Sequence, residues 1–94
     1  MKQDIKEMSE IFKILSNDVR LCILTNLCLN GEKKVGELQL CTKSSQSFVS
    51  QQLSKLKSLG IIDSRKSGVE VFYFLNNKKI SNVIKLLNIG NTNI

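Results

Sequence analysis

The chain predicts a small, mainly α domain with one β-hairpin, in the order of four helices, two strands and a last helix. Three observations carry that expectation. Between Ser45 and Leu75 a polar-started amphipathic helix stops at Gly60 and runs straight into two β-rich segments. Upstream, two apolar-periodic segments meet at Ser16-Asn17, a pair suited to ending one helix and capping the next. Ninety-four residues, with no proline and no internal repeat, provide one domain spanning residues 1–94, with room for a single modest core. Helix followed by hairpin is the arrangement of a winged helix-turn-helix, in which the helix enters a major groove and the hairpin reaches the flanking backbone.

The elements follow in order. Ile5, Met8, Ile11, Phe12 and Leu15 recur at helical spacing, which predicts a first amphipathic helix over Ile5–Leu15. Asn17 or Ser16 can cap a second helix from Asp18 to Cys28, and Asn30-Gly31 signals its end. That helix is apolar nearly all round, as an element buried between neighbours must be. A short third helix, Val35–Cys41, follows the turn Gly31–Lys34, with Leu38 as its surest core contact. Thr42–Ser44 turns the chain, and Ser45 or Ser44 caps the fourth helix.

On the fourth helix Val49, Leu53 and Leu56 form the buried stripe, at i, i+4 and i+7. The opposite face carries Gln46, Ser47, Ser50, Gln51, Ser54 and Lys57, and no acidic residue occurs from Ser44 to Leu59. A helix that avoids carboxylates over four turns suits a groove lined by phosphates. Ile61–Lys66 and Val69–Leu75 read as strands joined at Ser67-Gly68, and the second carries bulk on both faces. A fifth helix, Asn77–Leu87, is apolar at Ile80, Val83, Ile84 and Leu87. Its spare apolar face has no partner in so small a domain. The terminal helices, residues 1–16 and 77–88, are therefore expected to build a two-fold homodimer, and residues 89–94 to fray.

Composition narrows the function. Fourteen Lys and Arg against eight Asp and Glu give a formal charge of +6, which favours a polyanionic partner such as double-stranded DNA. Histidine is absent, which removes imidazole as metal ligand, general base or pH switch. No glycine-rich phosphate loop or paired carboxylate beside a nucleophile occurs, so neither an enzyme nor a cofactor is expected. No apolar run approaches the ~20 residues of a membrane span, and MKQDIKEM lacks a signal-peptide pattern. A cytoplasmic protein without membrane contact is the expectation, and three cysteines without paired spacing fit it.

With these residues in place, the chain resembles the ArsR/SmtB family of winged-helix repressors over Ile11 to Leu75. The resemblance rests on L-S-x-x-x-R-L-x-I-L from Leu15 to Leu24, on KVGEL, and on S-Q-S-x-V-S-x-x-L-x-x-L from Ser45 to Leu56. It implies a homodimer that sits on an inverted repeat, represses, and releases DNA when an inducer binds. By position, it implies that Ser45, Gln46, Ser47, Ser50 and Gln51 face bases and phosphates and that Lys43 and Lys55 neutralise backbone. Arg65 and Lys66, beside Gly68 at the hairpin tip, are then the wing contact. Glutamine offers a bidentate amide suited to adenine, and serine suits base edges or phosphates. Ser45 is also a good helix cap whatever the function.

The family's sensor sites are missing. Where its arsenic site places Cys-x-Cys, this chain has Lys33-Lys34-Val35-Gly36, and the fifth helix has neither histidine nor carboxylate for zinc or nickel. No metal site is expected. KVGEL and SQSFVSQQL look closest to the HlyU/BigR-like branch, which uses one cysteine directly after R-L-x-I-L and another near the end of the last helix. Thr25 stands at the first position and no cysteine follows Cys41, so that switch cannot be transferred.

The cysteines present are Cys22, Cys28 and Cys41. At 100° per residue Cys28 shares a face with Leu21 and Leu24, and Cys22 points roughly 120° away. Cys28 reads as a small buried hydrophobe. Cys22 and Cys41 are expected to be exposed thiols and are the candidates for thiol sensing; Lys43 beside Cys41 favours thiolate. A site for As(III) built from all three is conceivable only if the second and third helices converge unusually. Two other readings stay open: a repressor responding through Cys22 or Cys41, and a winged helix that grips a protein without specific DNA binding.

Overall fold

A central helix, α2 (Asp18–Asn30), is where the packing begins in the computed structural model, which describes residues 2–87. The fraying expected of residues 89–94 lies outside the described residues. Asn17 caps α2, its side-chain oxygen accepting from the Arg20 amide at 3.1 Å, and the helix stops at Gly31 with φ 81°. Ile23, Leu24 and Leu27 are buried, so α2 presents apolar surface to several neighbours at once. Around it stand α1 (Gln3–Leu15), α3 (Val35–Thr42), the hairpin strand β2 (Glu70–Leu75) and α5 (Lys78–Leu87). With α4 (Gln46–Ser58) and β1 (Ile62–Ser67), the order α1-α2-α3-α4-β1-β2-α5 is the expected one.

Leu38 of α3, Val49, Leu53 and Leu56 of α4, Ile62 of β1 and Ile80 of α5 complete one core with α2. Leu38 has no exposed surface. Leu38→Ala is expected to destabilise the fold by about 2–5 kcal/mol, since α2, α3 and α4 can only partly collapse onto the cavity. Chemical denaturation reads this directly, and a loss below ~1 kcal/mol would mean that α3 is not a core element.

The hairpin differs from expectation by one residue. Its register runs from Ile62 opposite Leu75 to Ser67 opposite Glu70, so the turn is Gly68-Val69 rather than Ser67-Gly68. Gly68 takes φ 64° at the first central position, the pattern of a type II′ turn, whose twist matches that of the strands. The expectation of bulk on both faces of β2 holds, for Val71 to Leu75 are all partly buried.

A further rung was not expected. Lys33, in the loop between α2 and α3, exchanges backbone hydrogen bonds with Tyr73 at 3.0 and 2.8 Å. This bridge docks the loop beside β2 and holds the base of the wing against the helical body.

The terminal helices keep apolar surface exposed. Ile5, Met8 and Phe12 of α1 are each more than half exposed, as are Leu86 and Leu87 of α5. Phe12, Leu15, Leu21, Ile84 and Leu87 border one shallow apolar cleft between α1, α2 and α5. Among the described residues, no helix is long and apolar enough to cross a membrane.

Candidate nucleic-acid interface

The start of α4 is built by its neighbours in sequence. Lys43 ends α3 in the left-handed region, φ 56°, and its amide donates to the Gln39 carbonyl at 3.0 Å. That sharp reversal turns the chain towards Ser45, whose hydroxyl accepts from the Phe48 amide at 3.1 Å and caps α4. Ser45 therefore performs the capping role, which also fixes where the helix begins.

Burial of Val49, Leu53 and Leu56 settles the orientation of α4. Gln46, Ser47, Ser50 and Gln51 all stand exposed away from that stripe. Their side chains make no hydrogen bond to another described residue, leaving amides and hydroxyls free for a ligand. Lys43 is exposed just before this face. Lys55, one turn beyond Gln51, lies at the rim of a cleft that also takes Arg20 and Lys78. Lys57 turns to the wing, donating from Nζ to the Ser64 hydroxyl at 2.7 Å and tying α4 to β1.

The wing requires a correction. Arg65 is not at the hairpin tip; it stands within β1 opposite Phe72, with its guanidinium 4.8 Å from the ring centroid. Its Nε and Nη2 donate to the Glu32 carboxylate at 2.8–3.1 Å, a bidentate pair across the base of the wing. These hydrogen bonds hold the Glu32 carboxyl below, and the Arg65 guanidinium above, their ordinary pKa values. Lys34 likewise pairs with Glu70 at 2.7 Å. The cation next to the tip is Lys66, exposed opposite Val71, and the tip residue itself is Val69, fully exposed.

Glu32 is thus a residue that sequence reasoning missed, since nothing along the chain links it to Arg65, 33 residues away. Glu32→Gln is expected to release Arg65 and to steepen the salt dependence of DNA affinity by about one counterion per subunit. Anisotropy titrations over a range of salt measure that slope; an unchanged slope would mean that Arg65 never reaches phosphate.

The thiols also depart from expectation. Cys22 and Cys41 are half-buried rather than exposed, and the Cys22 thiol donates to Cys41 Sγ at 2.8 Å and to the Cys41 carbonyl at 3.0 Å. Burial, then the hydrogen bond to Cys41, pushes the Cys22 thiol up from 9.0 to about 12. Cys28, half-buried against the core, stands apart with its Sγ 3.5 Å from the Ser81 hydroxyl of α5. The three cysteines do not converge, and among the described residues no three His, Cys, Asp or Glu side chains gather as a metal site.

Because the folded chain keeps the Cys22 proton to about pH 12 while an ordinary thiol releases it near 9.0, deprotonation favours the unfolded chain. The stabilisation is complete below pH 9 and is lost as the pH rises from there towards 12. Wild type is therefore expected to lose melting temperature faster than Cys22→Ser above pH 9; parallel curves would show that burial does not hold that proton.

A capped helix with a polar face free of carboxylates, backed by three core residues and followed by a pinned basic hairpin, defines a winged helix-turn-helix DNA-binding regulator. Comparison narrows the class: residues 17–64 match the bacterial regulatory proteins of the arsR family, and the chain belongs to that family. It is similar to the cadmium resistance transcriptional regulatory protein CadC of Listeria innocua, 39% identical over 83 residues, covering 88% of this chain and 70% of the relative. It is also similar to the biofilm growth-associated repressor of Xylella fastidiosa, 33% identical over 87 residues, covering 93% and 75%. Among solved structures, HlyU from Vibrio cholerae superposes with a TM-score of 0.84 at 35% identity, covering 94% of this chain and 95% of that one.

Proposed function

We propose that the protein is a cytoplasmic homodimeric repressor that recognises an inverted-repeat operator through α4. The observation that carries this reading is the unpartnered polar face of α4, with Gln46, Ser47, Ser50 and Gln51 exposed on a helix held by three buried residues. In this reading Gln51 and Gln46 offer amides to base edges, and Ser47 and Ser50 complete the contacts to bases or phosphates. Lys43 and Lys66 contact backbone, and Lys55 reaches phosphate from the far end of α4. Arg65 joins them only when it leaves Glu32. The exposed apolar surfaces of α1 and α5 meet their copies across a two-fold axis, which sets two α4 helices about 34 Å apart in successive major grooves. Bound there, the dimer excludes the transcription machinery from overlapping DNA.

Fluorescence anisotropy of the reduced protein on duplex from its own upstream region, against a scrambled duplex near physiological salt, tests the proposal. A preference of about a thousandfold or more is expected for a specific operator. Equal, weak binding to both would favour a winged helix that grips a protein instead.

A further inference from the structure

Cys22 lies in the middle of α2 and Cys41 in the last turn of α3, and packing of these helices brings their sulfurs to 2.8 Å. That is about 0.8 Å longer than the ~2.05 Å of a disulfide bond, so closure needs only a small movement. The pair is reachable: Leu21, Thr25, Asn26 and both cysteines line an open, mostly apolar groove of about 410 Å³ on the outside of α2. Cys28 lies six residues further along α2, about 9 Å up the axis, with its sulfur beside Ser81 of α5. The position also bears on DNA. Cys41 precedes Lys43, the left-handed residue that turns the chain into α4, and the Cys41 carbonyl holds the Cys22 proton.

We propose that Cys22 and Cys41 are a dithiol that hydroperoxides oxidise to an intrachain disulfide, and that closing it weakens DNA binding by shifting the start of α4. The second clause rests on the DNA-binding function proposed above. Cys22 keeps its proton and donates it towards Cys41, so Cys41 is the attacking sulfur and Cys22 the resolving one. The Cys41 thiolate attacks a peroxide oxygen and the O–O bond breaks. Cys41 becomes a sulfenic acid, and the departing oxygen leaves as water or alcohol after taking a proton. The Cys22 sulfur then attacks Cys41 Sγ, forming S–S and breaking S–O, and the hydroxide leaves as water with the Cys22 proton. Two thiols lose two electrons and the peroxide gains them. On closure the Cys22 thiol no longer exists as a donor to the Cys41 carbonyl, and the end of α3 is drawn towards α2.

The test treats the full chain with hydrogen peroxide and reads intact mass, linked peptides and anisotropy on the preferred duplex. Expected are a loss of about 2 Da, a peptide joining Cys22 to Cys41, and an affinity reduced about tenfold and restored by dithiothreitol. C22S and C41S should each bind when reduced and form no linked peptide with peroxide, C22S gaining oxygen at Cys41 and C41S staying unmodified at Cys22, whereas C28S should respond as wild type does. Free thiols after treatment, a bond to Cys28 or between chains, or full closure with affinity within about twofold would each overturn the proposal. If the reduced chain prefers no duplex, the operator reading fails and the switch with it, while a linked Cys22–Cys41 peptide would still establish the modification site.

Discussion

Phe12→Glu is expected to split the proposed dimer and to cost the protein about 10²–10⁴-fold in operator affinity. Phe12 is 55% exposed within one chain and borders the apolar cleft with Leu15, Leu21, Ile84 and Leu87, so the substitution leaves the core untouched. In the proposed dimer this position faces the apolar surface of the other subunit, and a carboxylate brought there loses its water without gaining a partner. The penalty therefore falls on association and not on folding. Once the subunits separate, two half-sites are no longer engaged by one molecule, and the avidity of the linked contacts disappears. Sedimentation velocity beside circular dichroism makes the distinction. A folded variant that remains dimeric would place the interface on some surface other than α1 and α5.

Gln51→Ala is expected to relax discrimination at one base pair in each half-site by about 1–3 kcal/mol, with little effect on binding to unrelated DNA. The residue is exposed on α4, its amide bonds no other described residue, and the buried Val49 and Leu53 on either side hold its backbone in place. In the proposed complex, removing the side chain deletes a bidentate contact and leaves the helix where it was. Lys66→Ala is the contrasting change, weakening every sequence alike and lowering the salt slope by about one counterion per subunit. Binding to a panel of single-substitution duplexes at two salt concentrations separates the two patterns. If both variants lost affinity uniformly, Gln51 would be a backbone contact and the base-reading role would pass to Gln46 or Ser47.

The Glu32–Arg65 pair makes the wing a less simple electrostatic element than its composition suggests. Both groups are exposed, so the pair adds little to stability, but it sets how much positive charge the wing offers at rest. The Lys33–Tyr73 bridge and the Lys34–Glu70 pair act at the same base. A wing tied down at several points presents Lys66 from a fixed position.

The amino-acid sequence by itself determined the order of the elements, the buried stripe of α4 and the carboxylate-free face opposite it. Each of these depends on periodicity and side-chain chemistry within one segment, where spacing along the chain sets direction in space. Helix caps were legible for the same reason, as with Asn17 and Ser45, whose side chains bond to amides three residues ahead. The tertiary structure alone decided which distant groups meet. Glu32 and Arg65 are 33 residues apart, and Cys22 and Cys41 are 19 apart. Helical spacing says which way Cys22 points on α2, but not that the end of α3 lies across from it. That depends on how Leu24, Leu38 and Leu53 pack three helices together, and packing turned two thiols expected to stand exposed into a half-buried pair.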